Sequence, residues 1–262
     1  MSKRFDKFFF CVLIFIFIIL CEGFYSHFYY KVSKLFDFIP FDSKSNINQK
    51  VWGEMGIIEN VQHIFLLLTI IFLFLYINSV KSKNLPIQYK AFLYIYTLGV
   101  LYFFLEEISW GQHYFMWETP NIFKEINNQK ETNLHNISNL FDQLPRTLVY
   151  FWCAFSIILI NYTKLKSYNI NNFFLIISPN KKLIYISFLL LVLSIPDLVV
   201  DSFNLHPGHV DEFGKEIPGN IFYDIITFNF IRLSELHELI FSFYFLYYSI
   251  FFNKINIQKL VD

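Results

Sequence analysis

Six apolar runs, none long enough to cross a membrane unaided, set the first constraint on this chain. They cover residues 8–21, 64–77, 91–105, 148–160, 183–196 and 239–252, each 13 to 15 residues long, whereas a spanning helix needs roughly 20. Each must therefore extend into its flanks. On one side those flanks hold Glu22, Glu59, Glu106, Glu107, Asp197, Asp201, Glu235 and Glu238. Carboxylates from five of the six helices then share one depth, inside or just under a single leaflet. Ionisable groups there are costly and mark either function or a buried polar network.

Composition agrees with this class. Hydrophobic residues make up 55% and charged residues 16% of 262, which excludes an ordinary soluble domain and predicts one all-α integral membrane domain over 1–262. The 35 Phe and 17 Tyr stand beside only two Ala, Ala91 and Ala154. That balance reads as bilayer-facing and core surface, not as a stacking platform for a cofactor. Cys11, Cys21 and Cys153 lie in apolar segments with no metal-ligand spacing and no disulfide framework. No Gly-rich phosphate loop, nucleophile elbow or nucleic-acid signature is present, and the expected partner is the lipid bilayer.

Lysine and arginine orient the bundle. Met1 to Lys7 is basic, and no small-residue cleavage site follows the first run, so the first segment reads as a retained span. With the amino terminus inside, twelve basic and two acidic residues fall on the cytoplasmic side, against nine basic and nineteen acidic on the other. About six spans, near 8–24, 55–77, 91–110, 147–161, 183–200 and 233–252, satisfy this split. Both termini are then cytoplasmic, in the cell (inner) membrane. The outer connections, 25–54, 111–146 and 201–232, are the longer ones, and the last carries Pro207-Gly208 and Pro218-Gly219 turn signals. Trp110, Tyr114, Phe115 and Trp117 predict an interfacial placement for the segment leaving the third span.

Four patterns carry the chemistry. At the end of the third span, Glu106, Trp110 and His113 share one helical face and adjacent Glu107 points to another neighbour. Two carboxylates so close need a cation, a basic partner or a retained proton; the alternative is that one bonds to backbone, Arg146 or Arg232 and locks the bundle. At the start of the second span, Glu59 and His63 are four apart beside Glu54 and Gln62, a spacing for joint metal ligation, proton exchange or a hydrogen-bonded helix end. The last span opens with Ser234, Glu235, His237 and Glu238, but Phe241 stands where a zinc-protease helix has its second His. The outer segment from Asn128 to Asn136 adds Glu131, His135 and a set of amides, which suit either a site or a self-capped loop.

The run Glu106-Glu-Ile-Ser-Trp-Gly-Gln112, with Glu118-Thr-Pro120 and the Asn128-Gln-x-Glu131-x-Asn-Leu-His-Asn136 pattern, resembles an uncharacterised family of bacterial multi-pass membrane proteins. The resemblance covers about thirty residues and implies a shared bundle without an activity. A more distant similarity, in residue types alone, is to alkaline-ceramidase-like membrane hydrolases.

Two classes of function remain in play. As an enzyme, the chain would use Glu59, His63, Glu107, Glu235 and His237 to bind a divalent metal, with Glu106, Glu107, Glu131 and His135 as catalytic candidates for hydrolysis or transfer on a lipid-linked substrate. Alternatively these groups form a proton or cation relay, as in a coupled transporter, or a scaffold's structural network. Convergence of Glu59, Glu107 and Glu235 is expected if the layer is one site. Gln at 106 or 107 should leave stability unchanged or raised if the pair is catalytic, and lower it if the pair is structural.

Overall fold

The computed structural model describes residues 7, 9–21, 51–52, 55–81, 85–127, 130–165, 172–179, 181–203, 205, 209–210, 216–217 and 233–252. Glu22, Glu54, Asn128, Gln129, Arg232, most of the 25–54 and 201–232 connections and both Pro-Gly turn signals lie outside the described residues. The helices are α1 (Phe9–Cys21), α2 (Ile57–Val80), α3 (Ile87–Glu107), α4 (Gln112–Phe115), α5 (Asn121–Ile126), α6 (Asn139–Leu165), α7 (Asn172–Ile177), α8 (Lys181–Leu193), α9 (Ile195–Ser202) and α10 (Leu233–Phe252). A two-residue antiparallel ladder pairs β1 (His209–Val210) with β2 (Glu216–Ile217); otherwise the described secondary structure is helical.

The chain forms two compact units, 1–56 with 194–236 and 57–193 with 237–262. The first contains α1, α9, the β ladder and the opening of α10. In the second, α2 packs along α3 and α6 along α8, and from His237 onward α10 is the central element. Its side chains are buried on every face through Ile250. Rings close around it: Phe65 of α2 meets Phe243, Phe103 of α3 meets Phe245, and Tyr150 of α6 meets Phe241.

Among the described residues two helices are long and apolar enough to cross a membrane, α2 and the stretch Lys181–Val200. A third is added if α3 counts together with Ser109–Phe115 beyond a 64° bend. This is fewer than the six spans expected. The difference has local causes: Phe9–Cys21 and Gln143–Leu159 are shorter apolar helices, and α10 interleaves Glu235, His237 and Glu238 with serines and tyrosines that face protein. α2, by contrast, turns Ile64, Leu67, Ile71 and Phe74 outward.

Four hydroxyls within the helices bond back to the carbonyls of their own helix. Thr69 and Thr97 donate back to the carbonyls of Phe65 and Leu93, both at 2.7 Å, and Ser242 and Ser249 to those of Leu239 and Leu246 at 2.7 and 2.8 Å. Tyr76 and Tyr89 join α2 to α3 through their hydroxyls at 2.7 Å. α3 starts on Pro86, whose fixed φ of −54° suits a helix entry.

Candidate functional site

The third predicted span does not continue to Trp110 as one helix. It ends at Glu107, after which Ser109, Trp110 and Gly111 take φ values of 46°, 56° and 102°. Two left-handed non-glycine residues in succession are strained and persist only where their surroundings hold them. Gly111 is required here, because a Cβ would also lie 3.1 Å from the rings of Phe115 and Trp117. Glu106 and Trp110 do meet, indole Nε1 donating to Glu106 Oε1 at 2.8 Å. His113 leaves that face, since the break redirects it.

The break is held by the outer segment. Glu106, 3% exposed, accepts from the backbone amides of Leu134 and His135 on Oε2 at 2.7 and 2.9 Å, and His135 Nδ1 lies 3.4 Å from the same oxygen. Gln112 donates to Thr119 Oγ1 at 2.7 Å and accepts from the backbone amide and hydroxyl of Thr132 at 2.8 and 2.9 Å. Thr119 donates in turn to the carbonyl of Lys130 at 2.6 Å. Asn127 donates to the carbonyl and side-chain oxygens of Asn133 at 2.9 and 2.8 Å. The amides of this segment thus fold it onto the end of α3.

At the centre lies Ser109, fully buried. Its hydroxyl donates to Glu131 Oε2 at 2.7 Å, accepts from Asn133 Nδ2 at 3.0 Å and lies 2.9 Å from His113 Nε2. His113 Nε2 is 3.3 Å from Glu131 Oε1, and its Nδ1 is 3.7 Å from Glu59 Oε1. Glu131 and then Glu59 hold the His113 imidazolium up to about 9, against a smaller opposing effect of burial. For Glu131, burial pushes the carboxyl up, but His113 and Ser109 outweigh it and the net direction is down. Near neutral pH the His113–Glu131 pair is therefore charged, and Glu59 lies on the other side of the imidazole ring. His63 extends the array, its Nδ1 2.8 Å from the Tyr114 hydroxyl and its Nε2 3.9 Å from Glu59 Oε1.

No protein-family model, curated protein or solved structure matches the chain.

The five proposed metal ligands are not brought together as a coordination sphere. Glu59 and His63 are neighbours, but Glu107 Oε2 takes a 2.6 Å bond from Gln62 Nε2, and His237 Nδ1 lies 3.0 Å from the Tyr150 hydroxyl. Glu235 is in the first turn of α10. Among the described residues no three His, Cys, Asp or Glu side chains are grouped to hold a metal ion. The imidazolium of His113 supplies positive charge beside Glu131 and Glu59. Of the three partners expected for one carboxylate of the Glu106–Glu107 pair, Glu106 takes backbone amides, Arg146 pairs with Glu238 at 2.5 Å, and Arg232 lies outside the described residues.

Of the catalytic candidates, Glu106, Glu131 and His135 enter this network, while Glu107 joins α3 to α2. Ser109, His113 and Asn133 belong to its centre although periodicity singled out only His113, on the wrong face. The recoverable signal was their density within 106–136. What hid them was the break at 109–111, which no helical projection contains.

Proposed function

We propose that this chain is a multi-pass inner-membrane protein with six spans and cytoplasmic termini, whose outer polar cluster carries out acid–base hydrolysis or transfer on a lipid-linked substrate. One observation carries the chemistry: His113 and Glu131, 15% and 19% exposed at the side chain, stand 3.3 Å apart as a charged acid and base over a shared serine. A general acid and a general base in mutual reach can protonate a leaving group and deprotonate an attacking hydroxyl without a metal. Glu131 and, after it, Glu59 keep His113 in its acid form. Glu106, saturated by its donors, positions the loop and leaves the proton transfers to Glu131.

A lipid-linked substrate is supported by the lip of the cluster. Trp110, Tyr114, Phe115, Met116 and Trp117 are all exposed, Phe115 by 77% and Met116 by 82%. Aromatic residues so placed favour headgroup depth.

A second reading, a purely structural lock, draws on Glu106, whose acceptors are committed to Trp110, Leu134 and His135. The two readings are separated by incubating the reconstituted protein with ester-, amide- and phosphodiester-linked lipids. The catalytic reading expects turnover that falls by about a hundredfold or more in both His113→Gln and Glu131→Gln, in proteins that remain folded. Absence of turnover in the wild type across that panel, or unchanged rates in both variants, would leave the structural lock.

A further inference from the structure

At the ring nitrogen of His113 that does not face Ser109, three polar groups approach one another without bonding. Nδ1 of His113 is 3.7 Å from Glu59 Oε1, and Nε2 of His63 is 3.9 Å from the same oxygen. Both separations exceed the reach of an N–H···O bond, about 2.7 to 3.2 Å. Among the described residues neither nitrogen has a hydrogen-bond partner, and both atoms are buried. The His63 side chain as a whole is only 4% exposed. The Glu107 carbonyl is the other polar group that faces His63, and it too leaves Nε2 unbonded.

The chemistry of the two rings says what is needed there. An imidazolium has two N–H donors and no acceptor. Glu131 and then Glu59 hold His113 in that form, up to about 9, and its Nε2–H is spent on Ser109 and Glu131. Its Nδ1–H is then a buried charged donor whose nearest acceptor is out of reach, the costliest kind of polar group to leave unpaired. His63 adds a second donor. With the Tyr114 hydroxyl donating to its Nδ1 at 2.8 Å, the ring proton stands on Nε2. Donors from α2 and α4 thus converge on one carboxylate oxygen that neither touches.

A polar contact stretched beyond about 3.5 Å at a buried polar point is the span of a bridging water. Such a water needs two to four polar partners, and this place offers three. We propose that a water molecule is bound here, accepting from His113 Nδ1–H and His63 Nε2–H and donating to Glu59 Oε1. It completes the contacts of the imidazolium and fixes the ring with its Nε2 edge on Ser109 and Glu131. His63 is then a positioning residue for His113, acting through the water, and Tyr114 sets its tautomer. A catalytic cluster and a structural lock need this contact equally, so the site rests on neither reading.

The test is nuclear magnetic resonance of the full chain in detergent, with isotope-labelled histidine, at neutral pH and near the freezing point. The chain has seven histidines, and the His113 signals are those missing from His113→Gln. The His113 Nδ1–H should show a rotating-frame Overhauser cross-peak to water, opposite in sign to an exchange peak, and the ring nitrogen shifts of His63 should report a proton on Nε2. His63→Phe, which keeps a ring and removes both nitrogens, should lose the cross-peak. Tyr114→Phe should keep it, because the signal comes from water and not from the hydroxyl bonded to His63. Should His63→Phe fail to fold, the wild-type and Tyr114→Phe spectra decide the matter. A wild-type Nδ1–H without the cross-peak, or one broadened away by exchange with bulk solvent, overturns the site. So does a cross-peak unchanged in folded His63→Phe or lost in folded Tyr114→Phe.

Discussion

Replacing Glu106 by Gln isolates what its charge does, because shape and size are kept. The carboxylate accepts three well-formed bonds: indole Nε1 of Trp110 on Oε1, and the amides of Leu134 and His135 on Oε2 at 2.7 and 2.9 Å. A carboxamide can keep its oxygen toward the two amides, but its NH₂ then faces the Trp110 N–H, donor against donor. A bond to a charged acceptor contributes about 1.5 to 3 kcal/mol and a neutral one about 1 kcal/mol. Weakening two and losing the third comes to about 4 kcal/mol, reduced to about 3 kcal/mol if the half-exposed indole turns to water. For a protein of this size that corresponds to a fall in melting temperature of about 10 °C, readable by tryptophan fluorescence in detergent. Glu107→Gln should cost less, since a carboxamide oxygen can still accept from Gln62 Nε2. A Glu106→Gln protein that melts within about 2 °C of wild type would refute the assignment of Glu106 as the anchor of the outer segment.

The remaining predictions concern charge and placement. His113 is raised in the folded protein from 6.5 to about 9, so its contribution to stability is complete below pH 6.5 and is lost as pH rises to about 9. Thermal melts should show that decline in wild type and not in His113→Gln; a flat wild-type profile over this interval would show that the imidazolium contacts do not stabilise the fold. Glu131 acts in the opposite sense: its carboxyl is lowered, so its contribution is present above the ordinary carboxylate range and disappears as pH falls below it. For topology, single cysteines at Ser82 and Ser167 should react with an impermeant maleimide only from the cytoplasm and one at Ser138 only from outside; labelling of Ser82 in intact cells would reverse the orientation.

Much about this chain follows from sequence because the governing forces are local or averaged over many residues. Hydropathy and length identify α2 and Lys181–Val200 as helices able to cross a membrane, since every backbone group must be satisfied within the segment. The crowding of polar residues between Glu106 and Asn136 likewise marked the cluster, because so many amides exceed what a turn consumes. Pairings that depend on one helical turn were also legible: Glu59 with His63, and Glu106 with Trp110.

The tertiary structure decided the rest. Last-span residues look alike whether they face lipid or protein, and only packing shows that α10 is enclosed on all sides. Partner choice among the charges was equally hidden: Arg146 had several carboxylates within reach of a plausible bundle, and takes Glu238. Most of all, the left-handed turn at Ser109, Trp110 and Gly111 converts a helical face into a corner, placing His113 between Glu131 and Glu59. Such a conformation is unfavourable for the residues that adopt it and exists because distant groups, Leu134, His135, Asn133 and Glu131, satisfy it together. A pattern read along the chain contains local preferences, and this corner is a place where long-range hydrogen bonds overrule them.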